Sequence, residues 1–268
     1  MKQLLTIVML GILFTGCRDE NRSTKPVEDS QIKEASDKVE RDRDSAMIEV
    51  DPISHATAVI TWGDAVFYLD PTGGAGAFEG KNDPDLVLIT DIHGDHMNAE
   101  TLQELDLKNI QIIVPQAVKD ELPQEMHQQL VVLKNGENQE IKGFNIEAVP
   151  MYNLPETDES RHVKGRGNGY VIEKNGRRLY IAGDTEDIPE MRDLEDINIA
   201  LVPMNLPYTM TVEQAAEGVL AFQPDQVYPY HYRGQDGFAD VDKFKELVQK
   251  ENKDIEVILL EWYPGNAD

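Results

Sequence analysis

From about residue 46 the chain alternates short runs of β-branched and aromatic residues with polar breaks that carry Gly or Pro. "MIEVDPIS", "HATAVITW" and "DAVFYLDP", separated by Pro and by Trp62-Gly63-Asp64, predict three consecutive antiparallel strands. "DLVLIT" is apolar without alternation, the pattern of a strand covered on both faces. A helix is predicted just past residue 98, with Asn98 as N-cap and Met97 and Leu102 as a hydrophobic staple. "IQIIVP" is a further strand, followed by a helix around 116–122 that Pro123 interrupts, then by "QLVVL" and "FNIEAVPMYN". "GYVIEKNGRRLYIAGDT" predicts a hairpin, because Asn175-Gly176 suits a type I′ turn whose two central residues both need positive φ. After "INIALVPMN", Thr211 and Gln214 form a capping box that opens a helix with Val212, Ala215, Ala216, Val219 and Leu220 on one face. "QVYPYHY", a helix near 240–250 and "IEVILLEW" complete an α/β pattern of two β-then-α halves.

The N-terminal 45 residues depart from this pattern. Lys2 precedes an apolar run from Leu4 to Phe14 that is too short to cross a bilayer as a helix, and Thr15-Gly16-Cys17 follows it. "LFTGC" resembles a bacterial lipobox, which implies a signal peptide over 1–16 and acylation of Cys17. That reading predicts a lipid-anchored protein of the cell envelope. Residues 17–45 are charged at most positions and almost free of large apolar groups, so they read as a flexible tether to a domain spanning 46–268. Cys17 is the only cysteine, so neither an internal disulfide nor a thiolate metal ligand is available to that domain. The formal net charge of −25 argues against nucleic acid as a partner.

The candidate chemistry begins in "ITDIHGDHMN", where Asp91, His93, Asp95 and His96 follow the buried-looking strand directly. Three other places also put a donor at or near a strand end: His162 in "ESRHVKGRGNGY", Asp184 in "LYIAGDT" and His231 in "VYPYHY". Taken in this order, the string and the three later residues are similar to the metallo-β-lactamase superfamily. "DPTGG" and "LPYTMTVEQAAE" resemble its ascorbate-6-phosphate lactonase-like branch.

The resemblance implies a four-layer αββα sandwich with a metal site at one edge. It implies Asp91, His93 and His162 as ligands of one ion, Asp95, His96 and His231 as ligands of a second, and Asp184 as a bridge between them. Asp95 would also orient the nucleophile, in a metal-dependent hydrolase that cleaves an ester, lactone or phosphodiester bond. One or two divalent ions suit this donor set, zinc first, with manganese or iron as alternatives. Asp91 departs from the family pattern, which has His there. The extra carboxylate makes the centre less positive and favours harder metals, or else costs it the first ion.

His55, in a "HAT" phrase resembling the family's "HAS", is a candidate neighbour of the site or a buried structural histidine. Lys164, Arg166 and Tyr208 are candidates for meeting substrate, with surface salt bridging as the alternative for the two cations. Two other functions stay open. One is a non-catalytic metal- or ligand-binding lipoprotein, and the other a di-iron redox protein, for which the chain shows no flavin-binding module.

Overall fold

The computed structural model describes residues 47–264. The predicted N-terminal strands are β1 (Ile48–Ser54), β2 (Thr57–Trp62) and β3 (Ala65–Leu69), paired antiparallel in succession. β4 (Leu86–Leu88) joins β3 in parallel, and β5 (Gln111–Val114) and β6 (Leu130–Val132) extend the sheet in chain order. Between them lie α1 (Ala99–Glu104) and α2 (Gln116–Glu121). Asn98 caps α1 as predicted, its side chain accepting from the backbone N–H of Thr101.

The second sheet has seven strands. β7 (Asn138–Ile141) and β8 (Phe144–Met151) pair antiparallel, and β9 (Gly167–Lys174) and β10 (Arg177–Ile181) form the predicted hairpin. Asn175 and Gly176 both have positive φ, 53° and 74°, as the type I′ turn demands. After α3 (Pro189–Arg192) come β11 (Ile199–Pro203), then α4 (Val212–Phe222) with the full Thr211–Gln214 capping box. β12 (Gln226–Tyr230) is followed by the short hairpin of β13 (Arg233–Gly234) and β14 (Gly237–Phe238), then α5 (Val241–Glu251) and β15 (Glu256–Val257). The order across the sheet is β15-β12-β11-β10-β9-β8-β7.

Side-chain alternation builds the layers. In β3, Phe67 and Leu69 enter a central core shared by both sheets, whereas Val66 and Tyr68 turn to the outer face with Leu102, Val118 and Leu122 of the α1–α2 region. In β11, Ile199 and Leu201 join the same central core, and Ala200 and Val202 pack under α4 and α5 with Val219, Phe244 and Val248. Helix, sheet, sheet and helix therefore stack in four layers, and strands buried on both faces explain the apolar runs without alternation.

Three elements differ from the sequence expectation. β7 was not anticipated, because its residues Asn138, Gln139 and Glu140 are exposed at the sheet edge and carry no apolar signal. The β13–β14 hairpin is too short for any periodicity to show. "IEVILLEW" contributes only a two-residue edge strand. The expected signal peptide, the expected acylation at Cys17 and the expected tether fall outside the described residues. Among the described residues, no helix is long and apolar enough to cross a membrane.

Candidate metal centre

Strand direction decides which ends meet. β3 and β4 are parallel, and β8, β10, β11 and β12 share one direction because β9 runs against both β8 and β10. Their C-terminal ends therefore emerge on common edges, and the segments that follow carry the acidic and imidazole side chains.

In the first sheet, Asp70 at the end of β3 organises the loop beyond β4. Its carboxylate accepts from the Thr90 backbone N–H (2.7 Å), the Thr90 hydroxyl (2.7 Å) and His96 Nδ1 (2.8 Å). With Nδ1 donating to Asp70, His96 Nε2 faces His231 Nε2 at 3.1 Å and Asp184 Oδ2 at 3.4 Å. The His93 carbonyl accepts from the backbone N–H of both His96 and Met97, which folds Asp91, His93, Asp95 and His96 into one tight turn.

In the second sheet each donor has its own support. Beyond β8, Asn153 Oδ1 accepts from the His162 backbone N–H (2.8 Å) and from its Nδ1 (3.2 Å), so the buried ring again presents Nε2. Beyond β10, Gly183 holds φ 66°, and a Cβ there would stand 2.6 Å from the Met151 sulfur; only glycine lets the chain deliver Asp184 at this point. Beyond β12, His231 itself has left-handed backbone, φ 48°.

The structure brings together all seven side chains that the resemblance implied as ligands. Asp91 Oδ2 lies 2.6 Å from His93 Nδ1 and 3.8 Å from His162 Nε2. His162 Nε2 is 3.3 Å from Asp184 Oδ2, His231 Nε2 is 3.3 Å from Asp184 Oδ1, and Asp95 Oδ2 is 3.4 Å from His231 Nε2. Three groups have their donor atoms close enough to share an ion: Asp91, His93 and His162; His96, Asp184 and His231; and His55, Asp95 and His231. Asp91, His96, His162 and His231 are fully buried, whereas His93 and Asp95 keep access to solvent. The cluster therefore has a closed floor and an open mouth.

Its electrostatics follow from that burial. Desolvation alone would raise Asp91, but the hydrogen bond from His93 and the charges of His96, His93 and Arg166 outweigh it and hold the carboxyl at about 2. Burial likewise opposes ionisation of Asp95 and Asp184, yet the surrounding imidazoles drive both well below the usual carboxylate range. Desolvation would lower His96, but Asp184 and Asp70 on its two sides raise it well above an ordinary imidazole. His231 is lowered, chiefly by burial.

The donors fit a divalent cation. His162 Nε2 and Asp184 Oδ1 are buried and have no hydrogen-bond partner among the described residues, a costly arrangement for polar atoms unless something electropositive meets them. Imidazole and carboxylate without thiolate suit zinc, manganese or iron.

The remaining candidates sort differently. His55, also in left-handed backbone (φ 59°), bonds Asp95 Oδ2 through Nε2 at 3.2 Å and the Tyr263 hydroxyl through Nδ1 at 2.9 Å, so it touches the cluster. For the two cations the structure shows the salt-bridging alternative: the Arg166 guanidinium forks onto Asp91, and Lys164 pairs with Glu190 at 2.7 Å. Tyr208 has the Arg161 guanidinium over its ring at 4.6 Å. Asp70, Thr90 and Asn153 escaped the sequence reading. Asp70 opens the phrase "DPTGG" without its role being visible there; Thr90 and Asn153 had only position as a signal, a polar residue at the end of an apolar strand.

Comparison with known proteins agrees with this architecture. Residues 49–231 match the family described as the Beta-lactamase superfamily domain. A UPF0173 metal-dependent hydrolase of Thermococcus onnurineus is 30% identical over 228 residues, covering 82% of this chain and 98% of that protein. The crystal structure of a protein named as a metal-dependent hydrolase from Parabacteroides distasonis superposes with a TM-score of 0.70 at 36% identity, over 81% of this chain and 94% of that one. CmlA, a diiron β-hydroxylase from Streptomyces venezuelae, has the same fold, with a TM-score of 0.61 at 20% identity over 80% of this chain and 53% of its own. The chain belongs to the β-lactamase superfamily, among relatives named metal-dependent hydrolases of the metallo-β-lactamase fold.

Proposed function

We propose that this protein hydrolyses an ester, lactone or phosphodiester bond of a small molecule at a centre of one or two divalent ions. The observation that carries the reading is the convergence of seven acidic and imidazole side chains from four chain segments, with buried donor atoms left unpartnered among them. Asp91, His93 and His162 would hold one ion, Asp95, His96 and His231 the other, and Asp184, in contact with His96, His162 and His231, would lie between them. Bound there, such ions supply Lewis-acid polarisation of the scissile group and a water acidic enough to act as nucleophile near neutral pH.

The chain's own residues do the rest. Asp70 and Asn153 accept hydrogen bonds from the Nδ1–H groups of His96 and His162 and so hold each ring with Nε2 turned inward. Asp95 stays a carboxylate at neutral pH and sits at the open side of the cluster, where Oδ2 can accept a hydrogen bond from the attacking water and orient it. His55 holds that same oxygen and is itself held by Tyr263. Among substrates, "DPTGG" and "LPYTMTVEQAAE" favour a lactone, by their likeness to the ascorbate-6-phosphate lactonase-like branch. "LFTGC" supports acylation at Cys17 and an envelope location; a membrane-associated wild type and a released Cys17→Ser variant are expected on cell fractionation.

The deciding experiment measures bound metal and turnover on a panel of lactones, esters and phosphodiesters, for wild type and His96→Ala. Metal and activity in wild type, both lost in the variant, are expected. A wild type that takes up no ion overturns the reading. Full loading without turnover on any of the panel leaves the alternative of a metal-binding protein.

A further inference from the structure

The carboxylate of Asp91 is committed twice over. Oδ2 belongs to the first donor group, 2.6 Å from His93 Nδ1 and 3.8 Å from His162 Nε2. The same oxygen accepts from Arg166 Nη2 at 3.1 Å, while Oδ1 accepts from Arg166 Nε at 3.3 Å, a two-pronged contact between residues 75 positions apart in the chain. The pair is set into the protein: the Asp91 side chain is fully buried and that of Arg166 is 22% exposed. A guanidinium keeps its charge at any pH the folded chain meets, so this neutralisation cannot be relieved by losing a proton.

The neighbouring group lacks such a cation. His96, Asp184 and His231 are joined there by Asp95, with Asp70 behind His96. Among the described residues, no Lys or Arg pairs with Asp70, Asp95 or Asp184. Two groups a few ångströms apart, linked through Asp184, thus present very different charge to an approaching ion. One has its own carboxylate paired with a guanidinium; the carboxylates of the other are met only by imidazoles.

We propose that Arg166 is a built-in counter-ion that makes the centre load unequally. The first divalent ion goes to Asp95, His96, Asp184 and His231. An ion at Asp91, His93 and His162 binds more weakly, because it must share its only private carboxylate with a guanidinium or displace it. Like charges this close, shielded by protein on most sides, repel far more than they would in water. The proposal rests on the metal-centre reading and adds to it the order and the relative strength of loading, with Arg166 as the residue that sets them.

The test is calorimetric titration of the metal-stripped full-length chain with Zn²⁺, with bound ions counted by elemental analysis. Wild type is expected to take one ion tightly and a second more weakly, by about tenfold or more. Arg166→Gln, which removes the charge, should narrow that gap by about tenfold through the second ion alone, and Arg166→Lys, which restores a charge, should keep it wide. Equal affinities in wild type, or an unchanged gap in a folded Arg166→Gln, overturn the proposal and leave the metal-centre reading standing. Should Arg166→Gln fail to fold, anomalous diffraction from wild-type crystals with one equivalent of zinc decides. An ion against His96 and His231 supports the proposal; one against His93 and His162 overturns it. A wild type that binds no zinc overturns both readings together.

Discussion

The first sheet supplies Asp91, His93, Asp95 and His96 from a single turn, whereas the second supplies His162 from the loop between β8 and β9, and Asp184 and His231 from just beyond β10 and β12. The contrast lies in how each set is held. The turn is a cooperative piece: Asp70 and Thr90 anchor it from behind, the His93 carbonyl closes it and Asn98 starts the helix that follows. The scattered donors each lean on a private device, a side-chain amide for His162, a glycine for Asp184, a left-handed backbone for His231 itself. A site assembled this way should respond differently to damage on its two sides.

The largest effect is expected where the scattered set ties both donor groups together. Asp184→Ala removes the carboxylate in contact with His96, His162 and His231, and ion affinity measured by competition with a chelator should fall by more than the roughly 100-fold that loss of an outer partner costs. On the turn side, Asp70→Asn leaves every candidate ligand in place but weakens the acceptor behind His96 Nδ1. Affinity should drop by about 10–100-fold, with turnover falling in parallel at limiting metal. If Asp70→Asn proved as damaging as Asp184→Ala, the turn would depend on its anchor more than on its ligands.

Smaller effects probe the supports. Gly183→Ala drives a Cβ toward the Met151 sulfur at a backbone angle that disfavours side chains, and should cost about 1–3 kcal/mol, seen as a Tm several degrees lower. Asp91 offers a test confined to acid. Its carboxyl is held at about 2 in the folded protein against about 3.9 in an unfolded chain, so its contribution is complete above pH ~4. It is lost as the pH falls from there toward 2, where the unfolded chain takes up the proton first. Metal-free Asp91→Asn should therefore show a flatter loss of stability than wild type across that window, in urea unfolding at stepped pH. Lys164→Met should change least, because its partner Glu190 is a half-exposed carboxylate and the pair is worth under about 1 kcal/mol after solvent screening. A large loss of turnover in that variant would return Lys164 to the site.

Legibility followed the physics of burial. Strands such as β4 and β11, apolar on both faces, stood out because the two cores they separate both demand hydrophobic residues. The Asn175-Gly176 turn and the Thr211–Gln214 box were readable because their chemistry is complete within four residues. β7 was invisible, since an exposed edge strand needs only backbone partners and its side chains are free to be polar. The seven converging donors were legible through their order along the chain and their likeness to a known superfamily. Asp70 and Asn153 were not, because each acts through space on a histidine that its own neighbours do not reveal.

By itself the sequence determined the alternation of elements, the acidic and imidazole chemistry, the absence of cysteine from residues 46–268 and the departure at Asp91. These are properties of residue type and local spacing, which a chain carries whether folded or not. Only the tertiary structure decided that Arg166 would spend its charge on Asp91 and Lys164 on Glu190, that His162 would be buried, and that Asp95 would stay at the open side. The partner of a charge depends on which strand ends the two sheets bring to one edge, and that is settled by packing between segments tens of residues apart.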